Sequence, residues 1–187
     1  MEILHIDTNM YYNAVAFDVE TPNCCGNAIC SIGITEIIQG KAAESREIRI
    51  NPDTYFDNFC ISVHGITPDM VSGAPEFYEV WPEINQAFGQ RLVLAHNARF
   101  DLGVLKKVMF RYGLYRENII YCDTLAMARR YLKNKVGNNK LGTLCDYYKI
   151  DLDPHRAGSD SAGCAGIYLK MLKEYGEPSD LVRMFEL

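Results

Sequence analysis

Apolar and polar residues alternate along the first third of the chain, in stretches separated by turn-forming residues. Residues 14–21 and 28–38 are rich in apolar and β-branched side chains, and residues 47–51 alternate polar with apolar ones. Residues 23–27 and 39–42 supply short turns between them. This pattern predicts three strands joined as an antiparallel meander.

From residue 75 onward, apolar side chains recur every three or four positions, which is the spacing of one helix face. Helices are predicted over residues 77–88, 102–112, 124–132, 141–148 and 160–175. Short apolar strands are predicted between these helices, at residues 91–95 and 118–122. A meander followed by alternating strands and helices predicts an α/β fold with a mixed five-stranded sheet, antiparallel first and then parallel, flanked by helices.

Three segments are less regular. Residues 52–67 are predicted to form a long ordered loop, and residues 179–185 a final helical turn or two. Residues 1–12 carry no usable signal, and either an edge strand or a frayed end fits them.

The length and composition predict one domain over residues 1–187, with a core over about 14–175. The chain has 187 residues, of which 48% are hydrophobic and 23% charged. No run has the length and apolarity of a membrane helix, and the N-terminus lacks the basic start of a secretory signal. We therefore expect a cytoplasmic protein with no membrane partner.

The seven cysteines are scattered without a C-x-x-C pair. This spacing predicts reduced, mostly buried thiols, and neither a zinc site nor a disulfide framework. Cys24 and Cys25 lie close to Glu20 in sequence. They are interpreted either as small residues in a turn or as a thiol pair that makes activity sensitive to oxidation.

The formal net charge of −5 argues against a protein that coats nucleic acid by bulk attraction. It does not argue against a nucleic-acid enzyme, because bound divalent cations would offset most of that charge where a phosphate sits.

Candidate chemistry begins at the end of the first predicted strand. Side chains two apart on a strand share a face, so Asp18 and Glu20 point the same way. Two neighbouring carboxylates repel one another, and a divalent cation between them relieves that repulsion. A solvated strand end is the structural alternative for this pair taken alone.

Two further acids open helices, at the element ends where ligand sites of α/β sheets gather. Asp101 follows a short strand, and Asp160 opens the long late helix. Helix capping is the alternative for both, because Asp is a favoured N-cap residue. For Asp123, which precedes Thr124, an N-cap is the interpretation we adopt.

His155 lies five residues before Asp160, in a segment where Pro154 and Gly158 prevent a continuous helix. A histidine that titrates near neutrality can accept a proton from water, which suits a general base. A solvent-exposed loop histidine is the alternative.

The sequence resembles the DEDDh family of DnaQ-like 3′–5′ exonucleases, which have an RNase H-like fold. The resemblance rests on F-D-V-E-T at residues 17–21, A-H-N-A-R-F-D at 95–101 and H-R-A-G-S-D at 155–160. V-H-G-I-T at 63–67 and K-L-G-T-L-C at 140–145 support it, so the similarity runs from about residue 14 to 172. The His-x-x-x-x-Asp spacing indicates the histidine branch of the family.

The resemblance implies two Mg²⁺ or Mn²⁺ ions. Asp18, Glu20 and Asp160 would hold one ion, and Asp18 would share a second with the scissile phosphate. Asp101 would act on the second ion directly or through water, and His155 would be the general base. These five residues are the candidate catalytic residues.

The resemblance also implies a pocket for the terminal nucleotide, lined by Thr21, His64 and Asn97. For His64, a buried histidine satisfied by the backbone is an equally simple explanation. A basic stretch precedes the third motif, either as a solvated surface or as a guide for the phosphate backbone. It consists of Arg129, Arg130, Lys133, Lys135 and Lys140.

We therefore expect hydrolysis of single-stranded or frayed DNA 3′ ends to nucleoside monophosphates, in a free-standing nuclease or as proofreading beside a polymerase subunit. An RNA 3′ exonuclease of the same family is the first alternative. A module that holds a nucleic-acid end without cutting it is the second. Loss of a metal ligand would favour the module, but all four acids and His155 are present.

Overall fold

The fold comes from a computed structural model that describes Leu4 and residues 6–187. The expectation of an edge strand or frayed end at residues 1–12 lies partly outside the described residues. Within them, Asn9–Tyr12 forms a single helical turn, α1. Its Tyr11 carbonyl accepts a hydrogen bond from the buried hydroxyl of Tyr168, which ties this turn to the last long helix.

The described residues form one mixed sheet of seven strands. In chain order these are β1 (Ala14–Glu20), β2 (Ser31–Ile38), β3 (Lys41–Ala42), β4 (Arg46–Arg49), β5 (Leu92–Ala95), β6 (Ile119–Asp123) and β7 (Val182–Phe185). The spatial order is β3-β2-β1-β5-β6-β7, and β4 also pairs with β2. Strands β1, β5 and β6 are parallel, whereas β2, β4 and β7 run antiparallel to their neighbours.

The predicted α/β class and the meander are confirmed, but the prediction of five strands is wrong. Strand β3 is only two residues long, which is too short for a periodic signal. Residues 179–185 had been predicted as a final helical turn or two. Only Ser179–Leu181 is helical, as a 3-10 turn, and the residues after it form strand β7. Its four residues form a strand because they pair with β6, a contact that local periodicity does not encode.

Helices flank both faces of the sheet. After α1 they are α2 (Asn58–His64), α3 (Pro68–Val71), α4 (Phe77–Phe88), α5 (Ala98–Arg111), α6 (Thr124–Tyr131), α7 (Leu141–Tyr148) and α8 (Ala157–Tyr175). Helix α2 corrects the prediction of a loop over residues 52–67. Only Cys60 of α2 is buried, so the helix has no apolar stripe that periodicity could detect.

The two faces of β1 differ in the size of their side chains. Val15 and Phe17 pack in the larger core beneath α4 and α5. Ala14 and Ala16 face α6, α7 and α8, where their small side chains let α8 lie close to the sheet. Asp18 continues the alanine face, so the alternation along β1 directs its side chain towards α8.

The close approach of α8 depends on Gly33 of β2, which pairs with Asp18 across the antiparallel ladder. A Cβ atom on Gly33 would lie 1.8 Å from the carbonyl oxygen of Ala157, the first residue of α8. Only glycine therefore allows the N-terminus of α8 to cross the sheet at this point.

Within the described residues, Leu4 and 6–187, no helix combines the length and apolar character needed to span a bilayer.

Candidate active site

Three carboxylates converge at the C-terminal end of β1. Asp18 and Glu20 project from the same face of the strand, and Asp160 reaches them from the first turn of α8. Each offers one carboxylate oxygen, and these oxygens lie within 4.8 Å of one another. The structure therefore brings together the three acids that were grouped from the sequence.

Asp160 is positioned by the loop before it. Its Oδ2 accepts a hydrogen bond of 3.1 Å from the backbone N–H of His155. Its Oδ1 is buried and has no hydrogen-bond partner among the described residues. A buried carboxylate oxygen without a partner is costly, so this atom marks a place that a cation would stabilise.

Asp101 lies behind the cluster at the start of α5 and is only 2% exposed. Its Oδ1 accepts a 3.2 Å hydrogen bond from the N–H of Val19, between the two acids of β1. Asp101 is therefore tied to the backbone of β1 and lies outside the group of three convergent oxygens.

Capping does not explain Asp101 or Asp160. The residues at the N-cap positions of α5 and α8 are Asn97 and Arg156, and neither helix has a side-chain cap hydrogen bond. The N-cap prediction for Asp123 is confirmed, because its side chain accepts a 2.9 Å hydrogen bond from the N–H of Leu125.

The electrostatics of the cluster disfavour its charged form in the absence of a cation. Burial, and after it the charge of Asp101, raises the pKa of Asp18 well above its ordinary value. Burial and the charge of Asp160 raise the pKa of Glu20 to about 8. Burial likewise raises the pKa of Asp101 to about 8, and it raises the pKa of Asp160.

These residues fit a divalent metal ion. In an octahedral site with metal–oxygen distances near 2.1 Å, ligand oxygens lie about 3 to 4 Å apart, which the spacing of the three carboxylates allows. Carboxylate oxygens are hard ligands and favour Mg²⁺ or Mn²⁺ over softer metals. A cation would also satisfy Oδ1 of Asp160 and offset the repulsion within the cluster.

His155 lies on the exposed loop that leads into α8, with a left-handed backbone (φ 63°). Its N–H holds Asp160, and its imidazole is near enough to influence the pKa values of both Asp160 and His64. The loop that carries His155 is therefore held next to Asp160.

A cavity of about 400 Å³ adjoins the cluster and shares Glu20 with it. Thr21 and His64, both predicted to line a nucleotide pocket, form part of its wall. Nδ1 of His64 accepts a hydrogen bond from the N–H of Ile66, so its Nε2 carries the proton and donates to the Thr21 carbonyl at 3.1 Å. Burial lowers the pKa of His64, which keeps this ring neutral.

Two aromatic residues of this cavity were missed from the sequence. Phe59 of α2 and Phe100 of α5 line it and are 68% and 49% exposed. Exposed phenyl rings beside a polar cluster suit the stacking of a base. Nothing in the sequence distinguishes them from core residues, because their exposure depends on how α2 and α5 pack.

Asn97 lies in a second cavity, of about 520 Å³, rather than beside Thr21 and His64. Arg129 and Lys140, which belong to the basic stretch, also line this cavity. Asn97 is fixed by its N–H, which donates to Oδ1 of Asp123 at 3.0 Å. One turn of α5 connects the two cavities, because Phe100 donates its N–H to the Asn97 carbonyl.

Comparison with known proteins identifies the family to which the chain belongs. The RNase_T family model, described as Exonuclease, matches residues 15–168. The chain therefore belongs to this exonuclease family.

Relatives similar in sequence are much longer proteins. The chain is 33% identical over 166 residues to a DNA polymerase III PolC-type of Caldanaerobacter subterraneus subsp. tengcongensis, an alignment that spans 87% of this chain and 12% of the relative. It is 32% identical over 169 residues to the protein of the same name from Bacillus subtilis (strain 168), with the same coverage. The chain thus corresponds to a small part of these relatives.

Solved structures show the same fold. The nuclease domain of 3′hExo, a DEDDh family member bound to rAMP, superposes with a TM-score of 0.75 at 20% identity, covering 94% of this chain and 97% of that one. Exonuclease X in complex with 5′ overhanging duplex DNA gives a TM-score of 0.72 at 24% identity, covering 90% and 96%.

Proposed function

We propose that this exonuclease removes nucleoside monophosphates from the 3′ ends of single-stranded or frayed DNA, using two Mg²⁺ or Mn²⁺ ions. The observation that supports this most directly is the convergence of Asp18, Glu20 and Asp160 beside a cavity large enough for a nucleotide. A carboxylate cluster next to a base-sized cavity brings a phosphodiester to the metal ligands.

Asp18, Glu20 and Asp160 would hold one ion in this proposal, and Asp18 would share the second with the scissile phosphate. Asp101 would act on the second ion, directly or through water, and its hydrogen bond from Val19 N–H keeps its carboxylate oriented. Two divalent ions supply activation of water at neutral pH and charge stabilisation of the leaving 3′ oxygen.

His155 acts as the general base that accepts a proton from the attacking water. Its place on an exposed loop lets the imidazole reach a solvent molecule, and its backbone N–H fixes the loop to Asp160. The base and one metal ligand are therefore positioned by the same hydrogen bond.

The terminal nucleotide occupies the cavity beside Glu20, where Phe59 and Phe100 stack on its base and Thr21 and His64 form the wall. An end that is still paired in a duplex cannot place its base between these rings. The enzyme therefore favours unpaired ends, and duplex ends must fray first.

The rest of the strand follows the second cavity, past Asn97, Arg129 and Lys140. Two basic side chains beside an amide suit contacts to successive phosphates. These three side chains are not arranged to read base edges. We therefore expect cleavage with little dependence on sequence.

DNA is favoured over RNA because the similar relatives named above are DNA polymerase III proteins. The same similarity favours a role in proofreading beside a polymerase subunit. The seven unpaired cysteines fit a reducing compartment such as the cytoplasm.

The test is degradation of 5′-labelled single-stranded DNA and RNA of matched sequence, with Mg²⁺, with Mn²⁺ or with EDTA. We expect a ladder that shortens from the 3′ end, requires metal, proceeds faster on DNA and disappears in Asp18→Asn. Glu83→Gln, an exposed acid remote from the cluster, is the matched control.

If RNA were cleaved faster than DNA, the proposed substrate would change to RNA, and the proposed active site would stand. Absence of cleavage on both strands with either metal would contradict the proposal and favour a module that only holds the 3′ end.

A further inference from the structure

A second group of side chains that could hold a metal ion lies beside the cavity that adjoins Glu20. Cys24, in the turn after β1, and Cys60 of α2 are 36 residues apart in sequence, yet their Sγ atoms are 4.0 Å apart. Asp57, directly before α2, adds a carboxylate oxygen, and one ligand atom of each residue lies within 4.8 Å of the others.

The distance between the two sulfur atoms is close to that of a chelated metal. With Zn–S bonds of about 2.3 Å and tetrahedral angles, two thiolates on one zinc ion lie about 3.8 Å apart. A disulfide requires about 2.05 Å. The observed 4.0 Å thus matches a shared ion without movement of either cysteine.

The backbone around the two thiols is held in place. The carboxylate of Asp57 accepts a 3.0 Å hydrogen bond from the N–H of Cys24, and the N–H of Asp57 donates to the Pro22 carbonyl at 2.8 Å. Although Asp57 occupies the N-cap position of α2, its side chain makes no cap hydrogen bond. The carboxylate faces the cysteine turn rather than its own helix.

We infer that Cys24, Cys60 and Asp57 form a binding site for a thiophilic divalent cation such as Zn²⁺ or Cd²⁺, separate from the carboxylate cluster that takes Mg²⁺ or Mn²⁺. Two soft thiolates select zinc and cadmium over magnesium. Three protein ligands leave one position of a tetrahedral ion open. Cys25, whose Sγ contacts the Tyr55 hydroxyl at 3.5 Å, is outside this site.

Binding is a proton exchange. Each thiol loses its proton as its sulfur joins the cation, so one bound M²⁺ releases two protons and no electron transfer is involved. The bound group, with two thiolates and one carboxylate, carries a net charge of −1. Binding is therefore stronger at higher pH.

The position of this site links it to the exonuclease, a consequence that rests on the proposed function. Cys24 and Cys60 line the same cavity as Glu20 and Thr21. A thiophilic ion would therefore lie in the wall of the cavity proposed to hold the terminal nucleotide, and we expect the bound ion to slow cleavage.

The site itself is tested without any activity measurement. The reduced protein is titrated with Cd²⁺ in excess Mg²⁺, without air or added thiol, and the ultraviolet charge-transfer band between thiolate and cadmium is recorded. We expect a band that saturates at one Cd²⁺ per chain. The band should be lost in Cys24→Ser and retained in Cys25→Ser, the adjacent exposed cysteine.

Two further variants make the assignment specific. Asp57→Asn should keep the band but weaken Cd²⁺ binding at least about 10-fold, since even outer partners of metal ligands cost about 10–100-fold. Asp18→Asn should leave the band unchanged, because the carboxylate cluster contains no thiolate.

Three results would overturn the inference. These are the absence of a band in the reduced protein, a band that persists in Cys24→Ser, and a band lost in Cys25→Ser alone. Because Cys24 is exposed, its replacement is not expected to disturb folding.

Discussion

Asp18 lies at the end of β1 among acids that carry the same charge. Burial and the neighbouring carboxylates raise its pKa well above the ordinary value, and Glu20 follows with a pKa of about 8. Ionisation of these groups in the metal-free fold therefore costs stability. The acids that would bind the cation therefore destabilise the fold when they ionise and no cation is bound.

Replacing Asp18 by Asn should stabilise the metal-free protein. The pKa of Asp18 is higher in the folded than in the unfolded protein, where it is about 4. The free energy of unfolding of the wild type therefore decreases as pH rises from about 4 to the pKa of the folded state. In EDTA we expect the variant to melt at least about 3 °C higher than wild type near pH 8, with a smaller difference near pH 5.

The measurement is thermal unfolding at the two pH values, with Asp151→Asn as the control for an exposed acid. An Asp18→Asn variant that melts lower than wild type near pH 8 would contradict this account of the cluster.

His155→Ala should separate catalysis from metal binding. The imidazole accepts a proton from water in the proposed mechanism, whereas Asp160 is held by the backbone N–H of residue 155, which alanine retains. We expect the rate of cleavage to fall about 10²- to 10⁴-fold, while the rise in melting temperature on adding Mn²⁺ is preserved. Turnover equal to that of wild type would exclude His155 as the base, and Arg156→Ala controls for disturbance of the loop.

Two elements determine whether the cluster can form, β2 and α8. The first turn of α8 brings Asp160 to β1 only because Gly33 of β2 leaves room for the Ala157 carbonyl. The small side chains of Ala14 and Ala16 extend the same contact along the sheet. The site is therefore a product of helix-to-sheet packing as much as of its acids.

Gly33→Ala should displace the start of α8. The added Cβ meets backbone atoms that cannot rotate away, so we expect a loss of at least about 3 kcal/mol of unfolding free energy, at the upper end of overpacking costs. Cleavage should fall together with it, because Asp160 moves. Urea unfolding and the 5′-label assay measure both effects.

Gly103→Ala, within α5, is the control. No atom lies within 4 Å of its added Cβ, so this change should be neutral or stabilise by about 0.5–1 kcal/mol. If Gly33→Ala were equally neutral, the close approach would not determine the position of α8.

Over the whole molecule the net charge is −5, yet two basic side chains of the same stretch line one cavity. Arg129 and Lys140 line the second cavity, whereas the adjacent Arg130 pairs with Asp180 at 3.6 Å. The basic stretch is thus divided, and only part of it faces the proposed path of the strand.

Replacing Arg129 and Lys140 together by Ala should raise KM for single-stranded DNA with little change in kcat. Each phosphate contact on a single strand contributes about 0.7 to the slope of log affinity against log salt. The double variant removes two such contacts and should therefore lower the salt slope of KM by about 1.4. Arg130→Ala should leave the slope unchanged, and an equal effect of the two variants would argue for general charge rather than a path.

The sequence predicted the features that depend on local periodicity. The D-x-E face of β1, the meander and the N-cap at Asp123 each follow from neighbouring residues. Contacts between distant elements could not be predicted in this way. Strand β7 exists through its pairing with β6, and Cys24 meets Cys60 only because α2 packs against the turn after β1.

The cavity that adjoins Glu20 could likewise be predicted only in part from the sequence. Thr21 and His64 were found through motif resemblance, but Phe59 and Phe100 were not, because apolar residues give no sign in the sequence of being exposed. Asn97 was grouped with Thr21 and His64 but lines the second cavity, a placement that depends on how α5 packs and not on local sequence.

Asp18, Glu20 and Asp160 are proposed to bind the divalent ion that the exonuclease requires. An anomalous difference map from crystals grown with Mn²⁺ and a nucleoside monophosphate would locate that ion. We expect a manganese peak at bonding distance from all three carboxylates, including Oδ1 of Asp160, and its loss in Asp18→Asn. No peak at this cluster in crystals of active enzyme, or a peak only elsewhere, would contradict this proposal.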